Sequence, residues 1–343
     1  MEYNLFITAI LFAYIYLINF FSKKYDIFID KPSQTERHKL LLTQKNEKIP
    51  LSGFFYFIPP VFIFLFKADL FTFMVCMAFF VLGLLSDIKV ATSPKLRLLI
   101  QFILLTVYLF FNSQIIIDTR IDVLNELMNN NIFRILVTSF FFLVLINGYN
   151  FIDGVNNLSS LNFLIVIFFL CLVSNDLKLE FYNLKIELLI MSLAVFVFFN
   201  FFGKNYLGDG AVYGLSFLIG YMAINMSLLD VKISPYFIAN LFWYPAFENL
   251  FSIIRRSFYK KKNYLPDNYH LHQMIYKYLK DKNFIKKKFL LSSLSGILIN
   301  SYLFIISLIA YNFYSHSDTQ ITLLFINMFF YVFVYRSLIR YSK

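Results

Sequence analysis

Long apolar runs separated by short polar stretches dominate the chain. Eleven of them predict helical membrane spans, at 4–22, 51–66, 70–86, 98–111, 135–152, 158–174, 188–202, 211–229, 236–254, 289–311 and 320–335. A helix needs about 17 to 25 mostly apolar residues to cross the hydrocarbon core. The second run holds Pro59 and Pro60 and is expected to kink or break there. The fourth and seventh are short and are expected to extend into their flanks. The pattern therefore predicts an all-α polytopic membrane protein of about eleven transmembrane helices, with 1–343 as a single transmembrane domain. The first run lacks a basic leading segment and a small-residue cleavage site, so it reads as a permanent span.

Composition agrees with this pattern. Of 343 residues, 59% are hydrophobic and 15% are charged, against about 25% charged in soluble domains. Cys76 and Cys171 both sit inside apolar runs and read as small core residues. The charges cluster in a few segments, and their sign orients the spans. With the N-terminus outside and the C-terminus inside, 25 of the 31 Lys and Arg fall on the inner side. The cytoplasmic loops are then 23–50, 87–97, 153–157, 203–210 and 255–288. The net charge of +11 needs no nucleic acid. It suits a face that meets anionic membrane lipids and an anionic substrate.

This topology brings Asp87, Asp153 and Asp209 to the same end of the bundle, with Asp267, His270 and His272 in the last long inner loop. Carboxylates gathered at a polar surface suit a hard cation such as Mg²⁺. Asn147, Asn150 and Asp153 recur at i, i+3 and i+6, on one helical face. The segment from Gly203 to Gly210 is glycine-rich and leads into a span, an arrangement that lets phosphate approach backbone and helix N-terminus. The stretch from Leu271 to Phe289 is basic, with Ile275 and Leu279 on one face, and could lie as an interfacial helix.

These residues resemble the polyprenyl-phosphate N-acetylhexosamine-1-phosphate transferases, which include MraY-type and WecA-type enzymes. The matching motifs are Asp30-Lys31-Pro32, Arg37-His38, Pro50-x-x-Gly53, Gly83 to Asp87, Pro94 to Arg97, Asn147 to Leu158, Gly208-Asp209 and His270-x-His272. The resemblance implies transfer of a sugar 1-phosphate from a UDP-sugar to undecaprenyl phosphate, with release of UMP. It also implies a Mg²⁺ requirement (Mn²⁺ as an alternative), a bacterial inner-membrane location, a cytoplasmic active site, and a homodimer as an admissible assembly. By carry-over, Asp87, Asp153 and Asp209 are catalytic, and Asp209 binds the metal. Asn147, Asn150, Lys95, Arg97, His270 and His272 bind substrate. The chain departs from the family in three places. Ser86-Asp87 stands for the usual Asp-Asp, Asn156-Asn157 stands for a frequent Asp-Gly, and His270-Leu271-His272-Gln273 replaces the three consecutive histidines of the MraY type. The last points to the WecA-like, surface-polysaccharide or O-antigen branch. The first leads us to expect that Asp87 carries the acidic pair's function and that Ser86 is structural.

Two other readings compete. A transporter or lipid flippase would place ionisable residues within its spans, and Glu248 is the one clear case here. A catalytically altered relative would keep the fold but lose the reaction.

Overall fold

The computed structural model describes residues 2–30, 48–65, 69–91, 93–112, 115–179, 184–258 and 269–342. Lys31-Pro32, Arg37-His38 and Asp267 lie outside the described residues. Within these segments fourteen helices form: α1 (Glu2–Tyr25), α2 (Gly53–Leu65), α3 (Leu70–Asp87), α4 (Pro94–Phe111), α5 (Asp122–Met128), α6 (Asn131–Ile152), α7 (Leu158–Asp176), α8 (Leu184–Phe201), α9 (Gly208–Leu229), α10 (Pro235–Leu241), α11 (Trp243–Phe258), α12 (Leu271–Asp281), α13 (Lys288–Asn312) and α14 (Ser317–Ser342). The strands β1 (Ile29–Asp30) and β2 (Ile49–Pro50) pair antiparallel. The Tyr206 N–H donates to the Pro50 carbonyl at 2.9 Å, tying this ribbon to the loop before α9.

Among the described residues, α1, α3, α4, α6, α7, α9, α13 and α14 are long and apolar enough to cross a bilayer, and α2 and α8 are apolar but shorter. The chain is thus an all-α, multi-pass membrane protein. The expected span 236–254 is not one helix: it breaks at Phe242 between α10 and α11. Pro245 accounts for the break, because it lacks an N–H and its ring crowds the carbonyl four residues back, at Leu241. Pro59 and Pro60 do not break α2. Pro59 leaves the Phe55 carbonyl without its helical donor, and the Tyr14 hydroxyl supplies one at 2.9 Å. α4 and α8 extend past their apolar runs, to Pro94 and Leu184. The basic segment after His270 is helical only to Asp281, and Tyr276 and Leu279 pack on Leu291 of α13. Its apolar face is therefore covered by protein rather than laid on lipid.

α9 is the axis of the bundle. It packs against α2, α3, α6 and α7, most extensively against α3. Small residues allow this approach, as they do where membrane helices pack backbone to backbone. Gly210 and Gly214 stand four apart on α9; a Cβ at Gly214 would strike the Phe80 ring, and one at Gly83 would strike the Asp209 backbone. The last turn of α3 is therefore locked to the first turn of α9. That contact sets Ser86 and Asp87 beside Asp209.

Candidate active site

Gly208 begins α9 with φ +74, a left-handed conformation that glycine adopts without strain. A Cβ there would also come within 2.7 Å of the Asp87 carboxylate. Asp87 Oδ1 accepts from the Asp209 N–H at 2.9 Å, and Oδ2 accepts from the Gly210 N–H at 3.0 Å. Asp87 therefore caps α9 from the neighbouring helix. A carboxylate in this position satisfies otherwise unpaired helix donors and meets the positive end of the helix dipole.

The cap aims the Asp209 side chain into a polar ring. Its Oδ1 accepts from Asn150 Nδ2 at 2.9 Å. Its Oδ2 accepts from the Ser86 hydroxyl at 2.6 Å and from Arg97 Nη1 at 2.9 Å. Arg97 also donates to the Ser86 hydroxyl and reaches the Tyr213 hydroxyl at 3.4 Å. The Asp209 side chain is 30% exposed, so a ligand can reach it. Mg²⁺ takes oxygen ligands in octahedral geometry, commonly one or two carboxylates completed by water and substrate phosphate. Asp209 fits that use. Among the described residues no group of three His, Cys, Asp or Glu gathers for a metal.

The Asn face of α6 divides its work. Asn150 meets Asp209, but Asn147 donates to Gln101 of α4 at 2.8 Å and so ties two helices together. Asp153 ends α6 and accepts from the Ser159 hydroxyl. Lys95 is exposed on the first turn of α4, two residues before Arg97. The Asn156-Asn157 pair is buried and framed by amides. Asn157 N–H donates to Asn200 at 2.6 Å, and Asn300 Nδ2 donates to the Asn157 carbonyl at 2.9 Å. Asn157 has φ +62. Asn is among the few non-glycine residues that tolerate this conformation.

The histidine motif forms a second cluster. His270 Nδ1 lies 2.9 Å from Glu248 Oε1, and the Tyr331 hydroxyl donates to Glu248 Oε2 at 2.6 Å. Arg256 Nη2 stands 3.3 Å from His270 Nε2. An arginine can only donate, so Nε2 accepts and Nδ1–H donates to Glu248. His270 is thereby held in one tautomer. The rings of His270 and His272 stack at 5.6 Å. His272 is fully buried, and neither ring nitrogen has a hydrogen-bond partner among the described residues. A Cβ on Gly154 would strike its Nε2, so His272 packs directly beside the turn after Asp153. Phe151 contacts both His270 and Arg256. Residues 150–154 thus join the two clusters.

Burial pushes the His272 pKa down from 6.5 to about 3, with the His270 ring adding to the effect. The folded protein then binds fewer protons than the unfolded chain below pH 6.5, so stability falls as pH drops from 6.5 toward 3. The melting temperature of purified protein should fall more steeply between about pH 7 and 5 in the parent than in His272→Gln, a window just around the ordinary histidine pKa. Equal slopes would refute this.

Sequence reasoning did not anticipate Gln101, Tyr213 or Tyr331, nor the pairing of Glu248 with His270. It treated Ser86 as structural, yet Ser86 touches Asp209 directly. Hydroxyls and amides inside apolar runs carry little signal until the partner helix is known.

Residues 70–227 match the family model for Glycosyl transferase family 4. The match contains Asp87, Lys95, Arg97, Asn147, Asn150, Asp153 and Asp209; His270 and His272 lie beyond it. The chain is also similar to a phospho-N-acetylmuramoyl-pentapeptide-transferase of Dictyoglomus turgidum. That relative is 25% identical over 229 residues, which cover 64% of this chain and 71% of the relative. Both likenesses support the family that the motifs resemble, the glycosyl transferase family 4 enzymes that join a sugar phosphate to a polyprenyl phosphate in the membrane.

Proposed function

We propose that the chain transfers an N-acetylhexosamine-type sugar 1-phosphate from a UDP-sugar to undecaprenyl phosphate, releasing UMP, as the initiating step of cell-surface polysaccharide or O-antigen synthesis. The observation that carries this reading is the Asp209 carboxylate at the N-terminus of α9, ringed by Asn150, Ser86 and Arg97. A phosphate approaching Asp209 meets the Arg97 guanidinium, a group suited to anions. Bound Mg²⁺ or Mn²⁺, held by Asp209, would neutralise charge on the donor pyrophosphate. The chain's own groups position the reactants. Asp87 fixes α9, Arg97 offers its donors to phosphate oxygens, and the cluster of Arg256 and His270 contacts the nucleotide sugar.

The acceptor phosphate is already mostly ionised near neutral pH, since a phosphomonoester has a second pKa of about 6. Its oxygen attacks the sugar-bearing phosphorus of the donor, and the bond to UMP breaks with the electron pair leaving on UMP. No strong base is required, which accommodates Ser86 where relatives carry an acid. Phosphoryl transfer of this kind depends mainly on positioning and charge neutralisation.

A transporter or flippase reading leans on Glu248. Both of its oxygens are engaged inside the bundle, by His270 and Tyr331, which favours a supporting role over ion carriage. The direct test incubates purified protein with undecaprenyl phosphate, Mg²⁺ and a panel of labelled nucleotide sugars. One donor should yield a labelled lipid and free UMP. No labelled lipid from any donor would remove the transferase reading.

The reading also requires the clusters to face the cytoplasm, with N-terminus outside, C-terminus inside and eleven passages including the broken 236–254. In a chain with Cys76 and Cys171 replaced by Ser, Glu126→Cys should react with an impermeant thiol reagent in intact cells, and Lys280→Cys should not. The reverse pattern would invert the topology.

A further inference from the structure

A cavity of about 380 Å³ opens between the end of α1, the residue before β2, the loop after α8 and the start of α13. That volume falls in the range of roughly 300 to 1,000 Å³ typical of small-molecule sites. Its wall carries three lysines, Lys23, Lys48 and Lys204, from three separate segments, together with Phe202, Gly203 and Phe289. Among the described residues no acidic side chain lines it. Lys48 pairs with Asp26 at 2.9 Å in an exposed contact, which is weak in water. Neither Lys23 nor Lys204 pairs with another described residue. Like charges gathered around one concavity repel each other and raise the local affinity for an anion.

The backbone at the cavity is held rather than loose. Gly203 has φ +63, and its N–H donates to the Asn200 carbonyl at 2.9 Å. The Lys204 N–H donates to the Phe199 carbonyl at 3.1 Å, and Ser293 of α13 donates to the Phe201 carbonyl at 2.6 Å. The surroundings are apolar: Phe202 is 41% exposed, and Phe20 and Phe21, in the turn of α1 before Lys23, are 49% and 48% exposed. A membrane-spanning helix showing aromatic rings beside a basic concavity offers both parts of an amphiphile a place. Basic pockets between transmembrane helices are a recurring way of holding phosphate headgroups of lipids.

We infer that the Lys23, Lys48 and Lys204 cavity is a binding site for a phosphate headgroup, supplied by an anionic phospholipid of the surrounding bilayer and separate from the Asp209 ring. The inference does not depend on the transferase reading. It assigns these lysines to a bound lipid that braces α1 against α8 and α13.

The test uses the full chain in nanodiscs of phosphatidylcholine alone or with added phosphatidylglycerol, read by native mass spectrometry and by melting temperature. The parent should retain phosphatidylglycerol and melt higher in the mixed discs. Lys23→Gln/Lys204→Gln should lose the retained lipid and the added stability, with apparent affinity down about tenfold or more, since each lysine near an anionic surface contributes appreciably. Lys277→Gln/Lys280→Gln removes equal charge from the exposed side of α12 and should behave as the parent. Retention unchanged in the first double variant, or lost equally in the second, would overturn the site. Equal stabilisation by inorganic phosphate in phosphatidylcholine discs, lost in the first variant alone, would uphold the phosphate chemistry and assign it to a soluble source. Displacement of the phospholipid by undecaprenyl phosphate, dependent on the same lysines, would uphold it with the acceptor lipid as the source.

Discussion

Asp209→Asn should lower turnover by about 10³-fold, the scale of removing one strong electrostatic contributor to a transition state. The substitution keeps shape and removes charge. Folding should survive, because the bonds that hold α9 to Asp87 come from the Asp209 and Gly210 backbone N–H groups and not from the Asp209 side chain. What changes is the balance inside the ring. Arg97 loses its ionic partner, a metal bound as proposed would lose its carboxylate, and Asn150 faces another amide. Initial rates across a Mg²⁺ titration, with melting temperature as a control, separate these effects. Near-normal turnover with an unchanged Mg²⁺ dependence would remove Asp209 from its assigned role.

Glu248→Ala should cost about 3 to 5 kcal/mol of stability, the usual penalty for breaking a buried ionic or strongly polar pair from one side. Glu248 is fully buried and accepts from both His270 and Tyr331. Truncation strands two donors where no water reaches them. It also frees the His270 ring from the tautomer that presents Nε2 to Arg256. Glu248→Gln keeps an acceptor of the same size and should recover much of the loss. Thermal unfolding in detergent distinguishes the cases. An Ala variant as stable as the Gln variant would mean that the cluster is not a structural joint.

The helices were legible from hydropathy because lipid forbids unpaired backbone, which leaves helices as the way for an apolar run to cross. Charge asymmetry placed the ends of the helices bearing Asp87, Asp153 and Asp209 together; in the structure Asp87 and Asp209 meet, while Asn150, one turn before Asp153, supplies the contact to Asp209 and Asp153 accepts from Ser159. Other features depend on pairings between helices 46 and 83 residues apart in the chain and had no local signature. Tyr331 reaches Glu248 from α14, and Gln101 reaches Asn147 from α4. The expectation that Asp87 carries the acidic pair's function and that Ser86 is mostly structural came from residue type alone. In space Asp87 turns to the backbone of α9, while Ser86 touches Asp209 and Arg97. The break at Phe242 had a sign in Pro245, but hydropathy passes straight over it.

The enclosure of α9 has a consequence for how the protein meets different membranes. In its apolar stretch 78% of positions are buried, against 22% in each of α1, α4 and α14. A bilayer thicker or thinner than the protein acts on the helices that touch it, which answer by tilting. Those outer helices absorb the mismatch. The helix that carries Asp209 touches almost no lipid and is insulated from changes in acyl-chain length.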